Sequence, residues 1–131
     1  MHDRSNCNAS FSLRARLASL GYAWRGLYLM GAREHNAWVH LAASIAVVGG
    51  GLVLNVSARD WCALLLAMAL VWLAEAFNTA IEALCDRVEP RFDEAIRSIK
   101  DIAAGGVLIA AVAAAAIGFM TLGPPFLVLL T

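Results

Sequence analysis

Residues 61–86 read WCALLLAMALVWLAEAFNTAIEALCD, an uncharged run that ends in four polar side chains. At ~100° per residue on a helix, Glu75, Glu82 and Asp86 fall within about 40° of one another, and Asn78 lies about 60° to one side. At ~1.5 Å of rise per residue, Glu75 would lie ~21 Å along the helix, inside a hydrocarbon core of ~30 Å. The stretch therefore predicts a membrane-spanning helix with an acidic stripe along its last three turns.

Ionisable side chains at membrane depth are costly, and they usually serve function and face the interior of a bundle. The alternative is an acidic patch that is solvated where the helix leaves the bilayer. That alternative suits Asp86, which lies near the exit. It suits Glu75 poorly, because a short side chain at that depth cannot reach water cheaply.

The rest of the chain is also too apolar for an ordinary soluble domain, since 61% of its 131 residues are hydrophobic. We expect a single membrane domain over residues 1–131, of the all-α class. The expected elements are an N-terminal amphipathic surface helix over residues 11–32 and transmembrane helices over residues 35–56, 61–86 and 100–122.

The surface helix is predicted from apolar residues that step by three and four, with arginines off that line. Those apolar residues are Leu13, Leu17, Leu20, Trp24 and Leu27. Ser10 or Ser12 could cap its start. A cytoplasmic helix packed on the bundle is the alternative to a helix lying in the membrane interface, and residues 1–10 are expected to be disordered.

Basic residues are distributed asymmetrically around the predicted spans. Five arginines precede the first span, four basic residues lie between the second and third, and Arg59 alone lies between the first and second. By the positive-inside rule the N-terminus and the second loop are cytoplasmic, and the C-terminus is outside. The acidic stripe then meets the cytoplasm. Because the basic residues alternate with acids beside the spans, nucleic acid is not an expected partner.

Several smaller features give local expectations. Cys7, Cys62 and Cys85 share no CxxC spacing and are expected to be free thiols. No cleaved signal peptide is expected from the first thirty residues. His35 and His40 are poorly spaced for zinc, so His40 is expected to bond a neighbouring helix or a lipid head group.

Loops and small residues add further expectations. Ser57 or Asp60 could cap the second span, and Pro124-Pro125 is expected to end the third. The run Gly49-Gly-Gly51 suits either close packing or a kink, which the sequence does not separate.

The polar residues at the cytoplasmic side suit phosphoryl transfer. If drawn together, the carboxylates of Glu34, Glu82, Asp86 and Asp101 would suit Mg²⁺, which is completed by waters and substrate phosphates. Lys100 could meet a phosphate oxygen, with Arg14, Arg16 or Arg91 as helpers. At ~1.5 Å of rise per residue, Glu75 lies about 10.5 Å deeper than Glu82, a separation that suits a hydroxyl arriving from the lipid.

These residues resemble a known signature. The prokaryotic diacylglycerol kinase and undecaprenol kinase family has a signature similar to the run Glu75-x-x-Asn78-Thr-Ala-Ile-Glu82-x-x-x-Asp86, followed by Lys100-Asp101. Gly21-Tyr22-Ala-Trp24-Arg-Gly26-Leu27 and Glu34 also resemble the family. The resemblance departs at Asp93, at Ile99, and at the arginine of the surface helix, which Arg14 or Arg16 matches loosely.

The resemblance implies a small homotrimeric membrane kinase that transfers the γ-phosphate of ATP to a lipid alcohol. Sites shared between subunits are expected, because one short three-span chain has little volume to enclose both a nucleotide and a lipid. It implies Glu75 as the general base and Glu34 and Glu82 as the residues that bind the metal and ATP. Tyr22, Lys100 and Asp101 would line the nucleotide, and Asn78, Asp86 and Arg16 would support the site.

The acceptor is either undecaprenol or diacylglycerol. Glu34-His-Asn36-x-x-x-His40 is similar to the E-R-N-x-x-x-H of the undecaprenol branch, which favours undecaprenol. The competing hypothesis is a non-enzymatic membrane protein, such as a cation pathway or an assembly factor, in which the acidic stripe conducts ions or pairs helices.

Overall fold

The computed structural model describes residues 12–130, apart from the side chains of Ala15 and Arg33, and this part of the chain is all-helical. Its helices are α1 (Leu13–Arg33), α2 (His35–Val53), α3 (Ala58–Val88) and α4 (Glu94–Leu130). Within the described chain, α2, α3 and α4 are long and apolar enough to cross a membrane. The prediction of an all-α chain with three spans is confirmed. The predictions for residues 1–10, including the Cys7 thiol and the Ser10 cap, lie outside the described residues.

The short turn between α2 and α3 contains a helix cap and a residue with a positive φ. Ser57 caps α3, because its Oγ accepts a hydrogen bond from the Asp60 N–H at 3.2 Å and donates to Asp60 Oδ2 at 2.7 Å. Asn55 has a positive φ of 50°, a conformation that asparagine tolerates better than most residues. The predicted capping residues are therefore confirmed.

The glycine run does not interrupt α2. Instead, Gly51 is buried against the indole of Trp61 on α3. A Cβ on Gly51 would lie 2.7 Å from Trp61 Cη2, so only glycine lets these helices approach so closely across the turn. Close packing, rather than a kink, accounts for Gly51.

One face of α3 is buried, and it positions the acidic residues. The most extensive contact between helices joins α3 and α4. The buried residues of α3 recur at helical spacing and include both apolar and polar side chains: Leu64, Ala67, Val71, Glu75, Asn78 and Cys85. Against them α4 presents the buried Val107 and Ala110, whose neighbours are mostly small residues. The periodicity that buries Leu64 and Val71 therefore also buries Glu75 and Asn78.

α4 is longer than the predicted third span, and the prediction that Pro124-Pro125 ends the helix was wrong. The helix begins at Glu94, before the predicted start of the span at residue 100, and Asp93 Oδ1 caps it by accepting from the Ile96 N–H at 2.9 Å. It also continues through Pro124 and Pro125 to Leu130. Each proline removes one backbone donor, but ending the helix would expose a whole turn of unpaired groups to lipid, which costs more.

α1 forms where the amphipathic pattern predicts a helix. The five residues of its apolar line are all exposed within the single chain, and its exposed side also carries Tyr22. Among the α1 side chains that the structure describes, only Met30, near the end of the helix, is buried. The apolar side of α1 thus remains uncovered by the chain's own spans.

Candidate active site

Glu75 occupies the buried face of α3, and its side chain is 0% exposed. Among residues 12–130, neither of its carboxylate oxygens has a hydrogen-bond partner. An ionised carboxylate buried in this way is costly, and natural proteins tolerate such groups mainly at functional sites. The prediction that Glu75 faces the interior of the helix bundle is thus confirmed.

His40 of α2 faces this carboxylate. Its Nε2 lies 3.7 Å from Glu75 Oε2, too far for a hydrogen bond but close enough for an ionic interaction. The imidazole also meets Trp72 edge-on, with ring centroids 6.5 Å apart. The expectation that His40 hydrogen-bonds a neighbouring helix is not met at this distance, although the imidazole does face Glu75 of α3.

A hydrogen-bonded link fixes α2 to α3 beside His40. Trp72 Nε1 donates to Ser44 Oγ at 3.1 Å, and Ser44 Oγ donates to the His40 backbone carbonyl at 2.7 Å. Since both helices are tied at this level, the separation of His40 and Glu75 is set by the fold and not by side-chain freedom alone.

Glu82 lies two turns closer than Glu75 to the C-terminal end of α3 and is half-buried. Asn78 Nδ2 donates to Glu82 Oε1 at 3.0 Å, which leaves Glu82 Oε2 free of that bond and Asn78 Oδ1 buried without a partner within the described chain. Glu34 is the N-cap residue of α2, and its side chain makes no capping bond. The charges of Glu34 and Glu82 both act on the Glu75 carboxylate, so the three glutamates share one neighbourhood.

A second polar group lies where α3 passes to α4. Lys100 Nζ donates to Asp86 Oδ1, and Arg97 Nε lies 3.8 Å from Asp101 Oδ2. These residues line a polar cavity of about 320 Å³. Its charged lining consists of Asp86, Glu89, Arg91, Asp93, Arg97, Lys100 and Asp101. The cavity therefore offers both cations for phosphate oxygens and carboxylates for a metal ion.

The four carboxylates that the sequence suggested for Mg²⁺ do not form one cluster. In the part of the chain that the structure describes, no three histidine, cysteine, aspartate or glutamate side chains are grouped as metal ligands. Asp86 and Asp101 are each paired with a basic residue, whereas Glu34 and Glu82 keep carboxylate oxygens available. Two carboxylates still fit Mg²⁺, because that ion normally keeps waters and takes substrate phosphates as further ligands.

Two of the residues implied by the resemblance lie exposed on α1. Tyr22 lies on α1 with its side chain 74% exposed, and Arg16 is exposed on the same helix. Neither lines the polar cavity. Within one chain, the structure therefore brings together Glu34, Glu75, Asn78 and Glu82, and separately Asp86, Lys100 and Asp101.

The sequence reasoning did not connect three residues with the site. His40 was assigned no role toward Glu75, because helical spacing relates residues of one helix and says nothing about a partner on another. Arg97, which pairs with Asp101, lies one turn before it, and that i, i+4 spacing could have been recognised. Thr79 Oγ1 is buried without a partner among the described residues, and its place inside the polar stretch was the available signal.

A larger, apolar cavity of about 560 Å³ lies between α2, α3 and α4. It extends from His40 and Val71 to Leu54 and Phe126, and its α4 wall consists mainly of alanine, glycine and phenylalanine. Among the described residues that line it, His40 is the only ionisable one. The cavity thus runs from the level of Glu75 toward the opposite end of the spans.

Comparison with known proteins places this arrangement in a family. The model of the prokaryotic diacylglycerol kinase family matches residues 21–122, which include every proposed site residue except Arg16. A diacylglycerol kinase of Synechocystis sp. is 36% identical over 115 residues, covering 87% of this chain and 66% of that relative. This chain therefore spans about two thirds of the length of the Synechocystis protein.

Two further relatives carry different names. An undecaprenol kinase of Bacillus subtilis is 31% identical over 106 residues, covering 81% of this chain and 86% of the relative. A diacylglycerol kinase of Escherichia coli is 31% identical over 105 residues, covering 75% of this chain and 80% of the relative. Since the matched region includes the whole acidic stripe of α3, the chain belongs to the prokaryotic diacylglycerol kinase family, a family of membrane lipid kinases.

Proposed function

We propose that this protein transfers the γ-phosphate of ATP to the hydroxyl group of a membrane lipid, with Mg²⁺, and that Glu75 is the general base. The observation that supports this most strongly is the Glu75 carboxylate, fully buried in a membrane-spanning helix with neither oxygen hydrogen-bonded among the described residues. A family of lipid kinases needs such a group, because its acceptor alcohol lies in the bilayer while its nucleotide comes from the cytoplasm.

The proposed reaction is one displacement at phosphorus. The acceptor oxygen forms a bond to the γ-phosphorus as the bond from that phosphorus to the β,γ-bridging oxygen breaks, and ADP leaves. The hydroxyl proton passes to Glu75, which must therefore be ionised before the transfer. Phosphoryl transfer depends mainly on positioning and charge neutralisation, so one well-placed base and a cationic phosphate site are sufficient.

Nucleotide binding is assigned to the cytoplasmic side of the same helices. Lys100 would meet a phosphate oxygen, and Asp101 and Tyr22 would line the nucleotide, with Asp86, Asn78 and Arg16 in support. Glu34 and Glu82 would hold Mg²⁺ through their available oxygens. When bound there, the metal ion supplies positive charge to the β- and γ-phosphates.

Lys100 is held in place for this role by Asp86. Their hydrogen bond joins α3 to α4 at the wall of the polar cavity, so the ammonium group is fixed before a nucleotide arrives. A preorganised cation loses less conformational freedom on binding than a solvated one.

The acceptor is assigned to undecaprenol in preference to diacylglycerol. The supporting feature is the sequence from Glu34 to His40, which is similar to the undecaprenol branch, and both names occur among the relatives. Because the acidic site neutralises phosphate and not the lipid tail, the same site could serve either alcohol.

We also propose a homotrimer in the bacterial inner membrane, with the N-terminus cytoplasmic, the C-terminus outside, and sites shared between subunits. The exposed apolar side chains of α1 suit a helix lying in the membrane interface. The exposure of Tyr22 on α1 within one chain supports sharing, because α1 of another subunit could be presented to the site.

The test is phosphorylation by purified protein in mixed micelles with labelled ATP, with and without Mg²⁺, against undecaprenol, diacylglycerol and a lipid that lacks a hydroxyl. We expect Mg²⁺-dependent labelling of a lipid alcohol, greatest with undecaprenol, and none of the lipid without a hydroxyl. No lipid-dependent consumption of ATP with either alcohol would overturn the proposal and favour a non-enzymatic membrane protein. Faster transfer to diacylglycerol would overturn only the choice of acceptor.

A further inference from the structure

His40 stands between two features of the fold. It lines the apolar cavity, which Glu75 does not, and on its other side it faces the Glu75 carboxylate. A lipid alcohol that reaches the base through this cavity would meet the imidazole first. His40 is therefore the residue of α2 best placed to influence the orientation of the Glu75 carboxylate toward the acceptor hydroxyl.

Both His40 and Glu75 lack hydrogen bonds that their buried polar atoms would need. His40 Nε2 and both oxygens of Glu75 are buried without hydrogen-bond partners in the described part of the chain. Their separation of 3.7 Å exceeds a normal N–H···O bond of ~2.9 Å by less than 1 Å, a difference that a small rotation of either side chain can close. A hydrogen bond between His40 Nε2 and Glu75 Oε2 would therefore give each group a partner.

The surroundings limit the imidazole to small rotations about this orientation. The edge-on contact with Trp72 limits its tilt, and the Trp72–Ser44–His40 link fixes its backbone against α3. The charges around the pair are acidic, since Glu34 and Glu82 also act on the Glu75 carboxylate. Because ionised carboxylates only accept hydrogen bonds, these neighbours cannot hold the Glu75 carboxylate in place, whereas an N–H of the imidazole can.

We propose, resting on the kinase function above, that His40 is the positioning residue for Glu75. Its Nε2–H donates to Glu75 Oε2 and holds the carboxylate so that the other oxygen can accept the proton of the acceptor hydroxyl. The nitrogen that carries the proton in a neutral histidine is set by its partners, and a carboxylate beside Nε2 favours the proton there.

The test compares two substitutions at one position. His40→Leu keeps apolar volume but removes the donor, whereas His40→Gln places an amide N–H near the position of Nε2. We expect His40→Leu to lower kcat about ten- to hundredfold, the range for a lost hydrogen bond to a charged group, with KM for ATP unchanged within about twofold. His40→Gln should recover most of that loss. His35→Leu, an exposed histidine in the first turn of the same helix, is the matched control and should retain normal kcat.

Two further measurements keep the proposal falsifiable if His40→Leu folds poorly. In a Glu75→Gln background, adding His40→Gln or His40→Leu should lower kcat no further. The ¹⁵N chemical shifts of His40 in the folded protein, measured by solid-state NMR, should change on Glu75→Gln and stay the same on an exposed substitution such as Glu94→Gln.

The outcomes separate this proposal from the kinase proposal. If wild-type protein phosphorylates no lipid alcohol, the kinase proposal fails, whatever the NMR shows. If wild-type protein is active but His40→Leu matches it in kcat, or His40→Gln is as impaired as His40→Leu, or the His40 shifts ignore Glu75→Gln, then His40 does not position the base and this inference alone is overturned.

Discussion

Replacing Gly51 by alanine tests how α2 and α3 are held together. The added Cβ would lie 2.7 Å from Trp61 Cη2 and 2.9 Å from Cζ2, whereas carbon atoms in ordinary contact are ~3.5–4.0 Å apart. The indole would have to retreat by about 1 Å, and overpacking of this kind costs ~1–3 kcal/mol. Alanine also gains about 1 kcal/mol of helix propensity over glycine, which offsets part of that cost.

Gly49→Ala is the matched control, because a Cβ at Gly49 meets nothing within 4 Å. Both variants receive the same propensity gain, so their difference isolates the clash. We expect Gly51→Ala to be less stable than Gly49→Ala by ~1–3 kcal/mol in equilibrium unfolding followed by circular dichroism in mixed micelles. Equal stability of the two variants, or a penalty that persists after Trp61→Leu, would refute the assigned contact.

Three other predictions address the cap, the nucleotide and the orientation. Ser57→Ala should cost ~0.5–2 kcal/mol of unfolding free energy, and the exposed Ser98→Ala less; equal losses would argue against the cap. Glu82→Gln and Glu34→Gln should each raise the Kd for Mg–ATP about ten- to hundredfold, measured by calorimetry, and an unchanged Kd would remove that residue from the metal site. With native cysteines replaced, a membrane-impermeant maleimide should label Ala58→Cys but not Phe92→Cys in intact spheroplasts, and the reverse pattern would invert the topology.

Much of the fold follows from periodicity and charge. The spacing that predicts the acidic stripe is the spacing at which α3 buries Leu64 and Val71, so the burial of Glu75 could be read from the sequence. The caps of α3 followed from local chemistry at Ser57. In each case the decisive interaction involves residues close in the chain, or a single helical face.

The features that the sequence did not predict involve either the solvent or a second helix. Pro124-Pro125 would end a helix in water, but in lipid the unpaired carbonyl groups of a broken helix cost more than two missing donors, so α4 continues. The pairing of His40 with Glu75 depends on how α2 packs on α3. Asp86 pairs with Lys100 between α3 and α4, and Asp101 pairs with Arg97 one turn earlier on α4, so neither aspartate is gathered with Glu34 and Glu82.

The most direct test of the account is Glu75→Gln, compared with wild-type protein for ATP binding, lipid phosphorylation and stability. Glutamine has the same shape but cannot accept the hydroxyl proton, so transfer to the lipid alcohol should fall ~10²–10⁴-fold while the Kd for Mg–ATP stays within about threefold. Because a neutral amide is less costly to bury than a carboxylate without partners, the variant should unfold no more easily than wild type. Wild-type rates of lipid phosphorylation by Glu75→Gln would contradict the assignment of Glu75 as the base.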